Sequence, residues 1–265
     1  MPRRILVLAG RRRSLATLLL LRELWALHPQ HIHLQGVACR SEWSTARIRE
    51  WSRRFGNGMW RKVAGELGLT GGDADPEQQQ LREQLKRIGQ PECSIAEFCG
   101  ERGIPFRMVR DLEQPASLAA VRAFDATQAV YSGAGILRKG LLDCFPDGVL
   151  NLHCGPLPAV RGMNGVEWSL FLGLPPMVTL HYIDCGIDTG PILAERRIPL
   201  LRSDTLAHVR GRSIITGIEL LRDVLPKLHD VSPRANPSAS GRQYFQMTDS
   251  LKAIASERLH VLVAG

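Results

Sequence analysis

Apolar and polar positions divide the chain into short β-rich runs separated by stretches with helical spacing. Residues 4–9 (Arg-Ile-Leu-Val-Leu-Ala) are a compact apolar run, and residues 14–27 then place apolar side chains at helical intervals. Residues 31–39 alternate as a strand does. A second cycle follows, with a helix predicted at 94–102, a strand at 105–109, a helix at 115–123 and a strand at 126–132. This order predicts an α/β fold: a Rossmann-like, mostly parallel sheet flanked by helices on both faces. The runs 177–183 and 192–198 are close in sequence and predict a strand pair near the sheet edge, and 204–228 reads as a helix capped by Ser203 or Asp204.

Two segments break the alternation. Residues 40–90 are first rich in Arg and Trp, then polar over 70–76, then helix-like over 77–88, which predicts a helical insertion after the second strand. Within it Ile48, Trp51 and Phe55 fall at helical spacing among Arg47, Arg49, Arg53 and Arg54. That is the pattern of an amphipathic helix packing its aromatics on the domain. The same arginines, with Trp43, Trp51 and Trp60, would also suit phosphate contacts and stacking on a nucleotide or RNA, or a membrane surface. Residues 232–240 are rich in Pro and Ser and read as a linker into a short terminal segment containing Gly241-Arg-Gln-Tyr-Phe245, a candidate homodimer element. The expected organisation is one main domain over 1–228 and a linker with a short C-terminal extension over 229–265.

Composition narrows the class. With 265 residues, 44% of them hydrophobic, the chain can bury a real core. No apolar run reaches the length of a membrane span, and the Arg-rich start is not followed by a signal-peptide core, so a cytoplasmic protein is expected. The six cysteines lack zinc-ligand spacing and read as free thiols, with no metal expected. Charge is uneven: residues 1–62 hold 13 Lys and Arg against 3 Asp and Glu, whereas the remainder holds 21 against 23. Such asymmetry suits an acidic partner or substrate near the amino-terminal end, and equally a solvated basic face.

Candidate chemistry concentrates in the second half. Asn151 and His153 are one residue apart at the end of an apolar run, so on a strand they point the same way, and Gly155-Pro-Leu-Pro158 ends that strand. Polar side chains are thereby left where open α/β sheets bind ligands. Asp188 follows in Asp184-Cys-Gly-Ile-Asp-Thr-Gly-Pro191. An amide, an imidazole and a carboxylate can together move an acyl group. Thr179 and His181 lie on the strand before Asp188 and are expected to support the same cavity. The first βα turn, Arg11-Arg-Arg-Ser14, lies where a helix amino terminus favours anions.

Between Ala129 and Pro199 the chain resembles the N10-formyltetrahydrofolate-dependent formyltransferases, which include glycinamide ribonucleotide, methionyl-tRNA and amino-sugar formyltransferases. The resemblance rests on Tyr131-Ser-Gly-Ala-Gly-Ile-Leu137, the Asn-x-His segment with Leu157-Pro158 and Arg161-Gly162, Val178-Thr-Leu-His181, and Asp188-Thr-Gly-Pro-Ile-Leu193. At Gly155 it departs from the Ser of many members. The resemblance implies transfer of a formyl group from N10-formyltetrahydrofolate to a primary amine, with Asn151, His153 and Asp188 catalytic. It further implies that Gly135, Ile136, Leu137, Asp184, Cys185, Gly186 and Ile187 cradle the pterin. The acceptor amine would meet Arg11, Arg12, Arg13, Ser14 and Asn164, and a phosphate-bearing acceptor, such as a nucleotide-linked amino sugar, or an amino acid is expected. Two alternatives stay open: an enzyme acting on methionyl-tRNA, for which the stretch after Leu228 is short, and a formyltetrahydrofolate hydrolase or non-turning-over folate-binding protein.

Overall fold

The computed structural model describes residues 2–41 and 75–264. Strands β1 (Arg3–Ala9), β2 (Ile32–Arg40), β3 (Phe106–Val109), β4 (Gln128–Ser132) and β5 (Val149–His153) pair in parallel, and β7 (Met177–Tyr182) and β8 (Ile192–Arg197) add antiparallel strands beyond β5. The order across the sheet is β3-β2-β1-β4-β5-β7-β8. The mostly parallel sheet and the terminal strand pair thus agree with the sequence expectation. A separate two-stranded sheet joins β6 (Val160–Gly162) to β9 (Arg242–Tyr244), again in parallel.

Side-chain alternation explains why both faces are covered. On β1, Ile5, Val7 and Ala9 enter one apolar cluster while Leu6 and Leu8 enter another, and all five are fully buried. The first cluster is closed by α1 (Leu15–Leu27), α2 (Pro76–Arg87) and α3 (Ile95–Glu101), with part of α7 (Leu206–Val224). The second is closed by α4 (Pro115–Arg122) and α5 (Lys139–Leu142). Central strands buried on both faces read as continuous apolar runs, which is how β1 reads. Helix α6 (Gly165–Phe171) and the terminal α8 (Asp249–Ala264) build a third cluster with α7 around Leu170, Val209 and Leu259.

Local signals set the helix boundaries. Ser14 caps α1 by accepting from the Thr17 N–H, and Ser94 with Glu97 forms a capping box on α3. The cap of α7 differs from expectation. It is Thr205, whose hydroxyl accepts from His208 N–H while the His208 ring accepts from Thr205 N–H. Asp204 is instead buried and paired with Arg212 at 2.5 and 2.8 Å, contacts that hold its carboxyl below the usual range despite burial. Helix α7 ends at Val224 and continues as a 3-10 turn over Leu225–Asp230.

Of the insertion expected over 40–90, its carboxyl-terminal part is the helix α2, capped by Asp75 with Pro76 in its first turn. The aromatic and basic stretch containing Trp43, Ile48, Trp51, Phe55 and Trp60 lies outside the described residues. Among the described residues no helix is long and apolar enough to cross a membrane.

Candidate active site

Register brings the polar residues of two strands together. In the antiparallel β5–β7 pair Asn151 lies opposite His181 and His153 opposite Thr179, so four side chains share one face at the carboxyl edge of the parallel strands. Leu150 and Leu180, one step out of phase, enter the first apolar cluster on the other face. The loop after β7 returns to this edge and delivers Asp188, which adopts φ +52°.

Hydrogen bonds fix the protonation pattern of His181. Its Nδ1 lies 2.7 Å from the Tyr182 carbonyl oxygen, a pure acceptor, so Nδ1 carries the proton. Its Nε2 then accepts from the Asn151 amide Nδ2–H at 3.0 Å. Burial lowers the pKa of this ring, and nearby His153 pushes the same way against the opposing charge of Asp188. Neutral His181 therefore makes no hydrogen bond to the Asp188 oxygen 3.6 Å from Nε2. The Asn151 amide is held by one N–H, and its second remains for a ligand.

His153 is buried, with both ring nitrogens against acceptors. Its Nε2 donates to the Val160 carbonyl at 2.8 Å, and Nδ1 faces Asp188 Oδ2 at 3.3 Å. The same carboxylate oxygen accepts the Gly162 N–H at 2.8 Å. An incoming proton thus has a defined place between His153 Nδ1 and Asp188. Gly155 lets the ring lie close: a Cβ there would be 2.8 Å from His153 Nε2. Thr179 does not touch the reacting groups; it donates to the Gly155 carbonyl at 2.7 Å and accepts from Leu157 N–H at 3.3 Å, which shapes the loop after β5.

His181 predicts a pH effect on stability. Its folded pKa lies below the unfolded value near 6.5, so the unfolded chain binds more protons as pH falls through that value. Stability should fall on acidification from pH 7.5 to 5.5, by up to about 1.4 kcal/mol per pH unit from this one group. Urea unfolding across that range should show a shallower slope in His181→Gln than in the native chain; parallel slopes would remove the assignment.

A cleft of about 850 Å³ opens beside Asn151. Arg11, Arg13 and Ser14 from the first βα turn line it, with Glu77, Leu81 and Arg82 of α2 and Ser213 and Ile214 of α7. Arg12 is not among its lining residues, and its carbonyl accepts from Ile95 N–H, tying the turn to α3. Cys154 also lines the cleft, where burial pushes its thiol pKa up and Ser213 Oγ contacts it at 3.2 Å. A buried, protonated thiol is a poor nucleophile.

The residues of the expected pterin cradle do not themselves line this cleft, although Tyr131 to Gly133 just before them do. Gly135 (φ +97°) donates its N–H to the Tyr131 hydroxyl, Ile136 is largely exposed and Leu137 is buried. Ile183, next to the Asp184 turn, packs into the cluster that contains Ala134 and Leu137, so the two segments approach each other. Asp184 closes its own turn by accepting from Gly186 N–H and the Thr189 hydroxyl, with Cys185 and Ile187 exposed. Exposed Ile136 and Ile187 beside backbone polar groups fit a flat heteroaromatic ring with edge donors and acceptors.

Asn164 is not among the residues lining the cleft. In the left-handed conformation it precedes α6, donating to Glu167 at 3.0 Å and accepting from Met247 N–H at 3.1 Å, so both ends of its amide serve the protein itself. Glu167 is buried and pairs with Arg210 at 2.8 Å, and Arg210 also reaches Glu77 on the cleft wall at 3.1 Å. Burial acts against the Arg210 charge, but the two carboxylates outweigh it and raise its pKa. The sequence expectation passed over Arg210 and Asn236, because lone polar residues in a helix and a Pro-rich tail carry no local signal, and it used Arg161 only as part of the Arg161-Gly162 motif.

Known proteins are similar to this chain. Methionyl-tRNA formyltransferase of Thermus thermophilus is 34% identical over 142 residues, covering 53% of this chain and 47% of that one. The methionyl-tRNA formyltransferase of Xanthomonas axonopodis pv. citri is 33% identical over 156 residues, 57% and 51% of the two chains. The chain thus spans about half the length of the curated relatives it matches. Among solved structures, a sugar N-formyltransferase from Shewanella sp FDAARGOS_354 has a TM-score of 0.57 at 14% identity, covering 97% of this chain and 87% of that one. Glycinamide ribonucleotide transformylase 1 from Symbiobacterium toebii has a TM-score of 0.55 at 17% identity, covering 86% and 88%. These two share the fold. The formyl transferase family model matches residues 74–225, more than half of the chain, which places β5, the Asp188 loop and the cleft-lining helices α2 and α7 inside the match: the chain belongs to the formyl transferase family.

Proposed function

We propose that this chain transfers the formyl group of N10-formyltetrahydrofolate to the primary amine of a small, phosphate-bearing acceptor, such as a nucleotide-linked amino sugar. The observation that carries the reading is the gathering of Asn151, His153 and Asp188 at one sheet edge, with Asn151 lining a cleft that is also lined by Arg11, Arg13 and the α1 amino terminus. The donor would lie against residues 135–137 and 184–187, the acceptor in the cleft.

The chemistry sets each role. The acceptor nitrogen attacks the formyl carbon, the carbonyl electron pair moves to oxygen, and the nitrogen then carries one proton too many. The free Asn151 N–H donates to that oxyanion; losing one such donor costs about 3 kcal/mol of barrier. The surplus proton passes to the site between His153 Nδ1 and Asp188 Oδ2. Collapse re-forms the carbonyl and breaks the bond to the folate N10, which receives the proton and leaves as tetrahydrofolate. No enzyme nucleophile is needed, in keeping with the protonated Cys154.

The test is ultraviolet-monitored release of tetrahydrofolate with nucleotide-linked amino sugars, amino acids and charged initiator tRNA as separate acceptors. Release that depends on an amino sugar supports the proposal. Release only with the tRNA replaces it by the second reading, which the names of the matched relatives favour, and release without amine makes the chain a hydrolase. The phosphate subsite has its own expected result. Arg11→Gln with Arg13→Gln should raise the acceptor KM by about tenfold or more and change kcat little, as loss of an anchoring contact does. An unchanged KM removes the phosphate from the proposal.

A further inference from the structure

The tail between Val231 and Met247 is fastened to the Asp188 loop, to β8 and to β6, the short strand that follows His153. Arg234 exchanges both backbone hydrogen bonds with Ile192, at 2.7 and 2.9 Å. Two residues later the buried Asn236 donates its Nδ2 to the carbonyl oxygens of Asp188 and Gly190, each at 2.9 Å. Arg161 then donates to the carbonyls of Ser238 and Gly241 at 3.0 and 3.3 Å, and β9 pairs with β6. The pairing is close enough that a Cβ on Gly241 would fall on the Pro158 carbonyl oxygen, and one on Gly162 on that of Tyr244.

Strand β6 holds two of the three candidate catalytic groups, through the Val160 carbonyl on His153 and the Gly162 N–H on Asp188. The tail therefore acts on Asp188 from two sides: β9 steadies the strand that binds its carboxylate, and Asn236 binds its backbone. Asp188 needs that hold. Its φ of +52° lies in the left-handed region, which a non-glycine residue keeps only where its surroundings impose it.

We propose that Asn236 is a positioning residue for Asp188, closing the 188–190 turn so that the Asp188 carboxylate points at His153. The amide is used for its donors alone, since its Oδ1 is buried with no partner. An aspartate would keep the shape and lose both N–H groups, placing a carboxylate against two carbonyl oxygens. The inference rests on the catalytic reading of Asp188.

Asn236→Asp and Asn236→Ala test it, with Gln243→Ala, an exposed substitution on the same tail, as control. The readouts are kcat with the acceptor found above, the donor KM, the dissociation constant of 5-formyltetrahydrofolate as a stable probe, and a crystal structure of Asn236→Asp. The expected result is a kcat lowered about 10²-fold, the scale of a small misplacement of a reacting group. Probe affinity and donor KM should stay within about threefold, the split that marks loss of a transition-state interaction. In the crystal structure the Asp188 carboxylate should lie beyond hydrogen-bond reach of Gly162 N, and the control should match the native chain. An Asp188 that has not moved overturns the proposal, as does an unchanged kcat, or a loss of probe affinity and thermal stability in step with kcat. If the native chain releases no tetrahydrofolate with any amine, the formyl-transfer reading fails, and the crystal structure still decides whether Asn236 places Asp188.

Discussion

His153→Ala is expected to lower kcat/KM for amine-dependent release of tetrahydrofolate by about 10³-fold, within the range for loss of a positioned acid or base. Folate affinity should hardly change, because His153 is buried and bonded to Val160 and Asp188 rather than lying among the exposed residues of the expected cradle. Asp188→Asn should cost a comparable factor. An asparagine oxygen can still accept the Gly162 N–H, so the loop survives, but the pair loses the charge that balances a protonated imidazole. His153→Ala combined with Asp188→Asn should be little worse than either alone, since the two groups act as one proton acceptor. Steady-state kinetics with binding of 5-formyltetrahydrofolate would check this. Activity retained to within about tenfold in His153→Ala would leave the imidazole without the proton-transfer role.

What could be read from the sequence follows from how local each signal is. Strand β1 is legible because both its faces are buried, and α1 because Ser14 caps a run of leucines. Asn151 and His153 are legible as a pair because period-two geometry needs no tertiary information, whereas the β5–β7 register that sets His181 and Thr179 opposite them does. Strand β6 is three residues long and exists because Arg242–Tyr244 pairs with it from far along the chain, so neither strand has a local pattern. The tail over 232–240 has the Pro and Ser content of a linker, yet it is held by hydrogen bonds to loop carbonyls that no composition encodes. Asn164 shows the opposite limit. Its loop position predicts an acceptor contact, but in the left-handed conformation before α6 its amide donates to the Glu167 side chain and accepts from the Met247 N–H of the tail.

Arg210→Met should destabilise the fold by about 3 kcal/mol at neutral pH, the low end of the cost of leaving a buried charge uncompensated, because Glu167 is buried while the guanidinium is partly exposed to solvent. Glu167 is only 1% exposed, and its carboxylate oxygen is satisfied by Arg210 and the Asn164 amide. Removing the guanidinium leaves a buried charge with one neutral donor. Glu167→Gln should cost less, because it removes the buried charge itself, keeps an acceptor for Asn164, and leaves Arg210 paired with Glu77. That ordering tests the account: urea unfolding in which Glu167→Gln is the more damaging would show that packing, rather than charge, governs the site. The pair also reaches the cleft. Arg210 bonds Glu77 on the first turn of α2, and Glu77 and Leu81 line the cleft, so freeing that turn loosens the α2 part of the cleft lining. The folded fraction of Arg210→Met should then show a raised acceptor KM with donor affinity unchanged, because the residues of the expected pterin cradle are absent from that lining. A donor affinity that falls as much as acceptor affinity would mean that the whole sheet edge, and not α2, depends on Arg210.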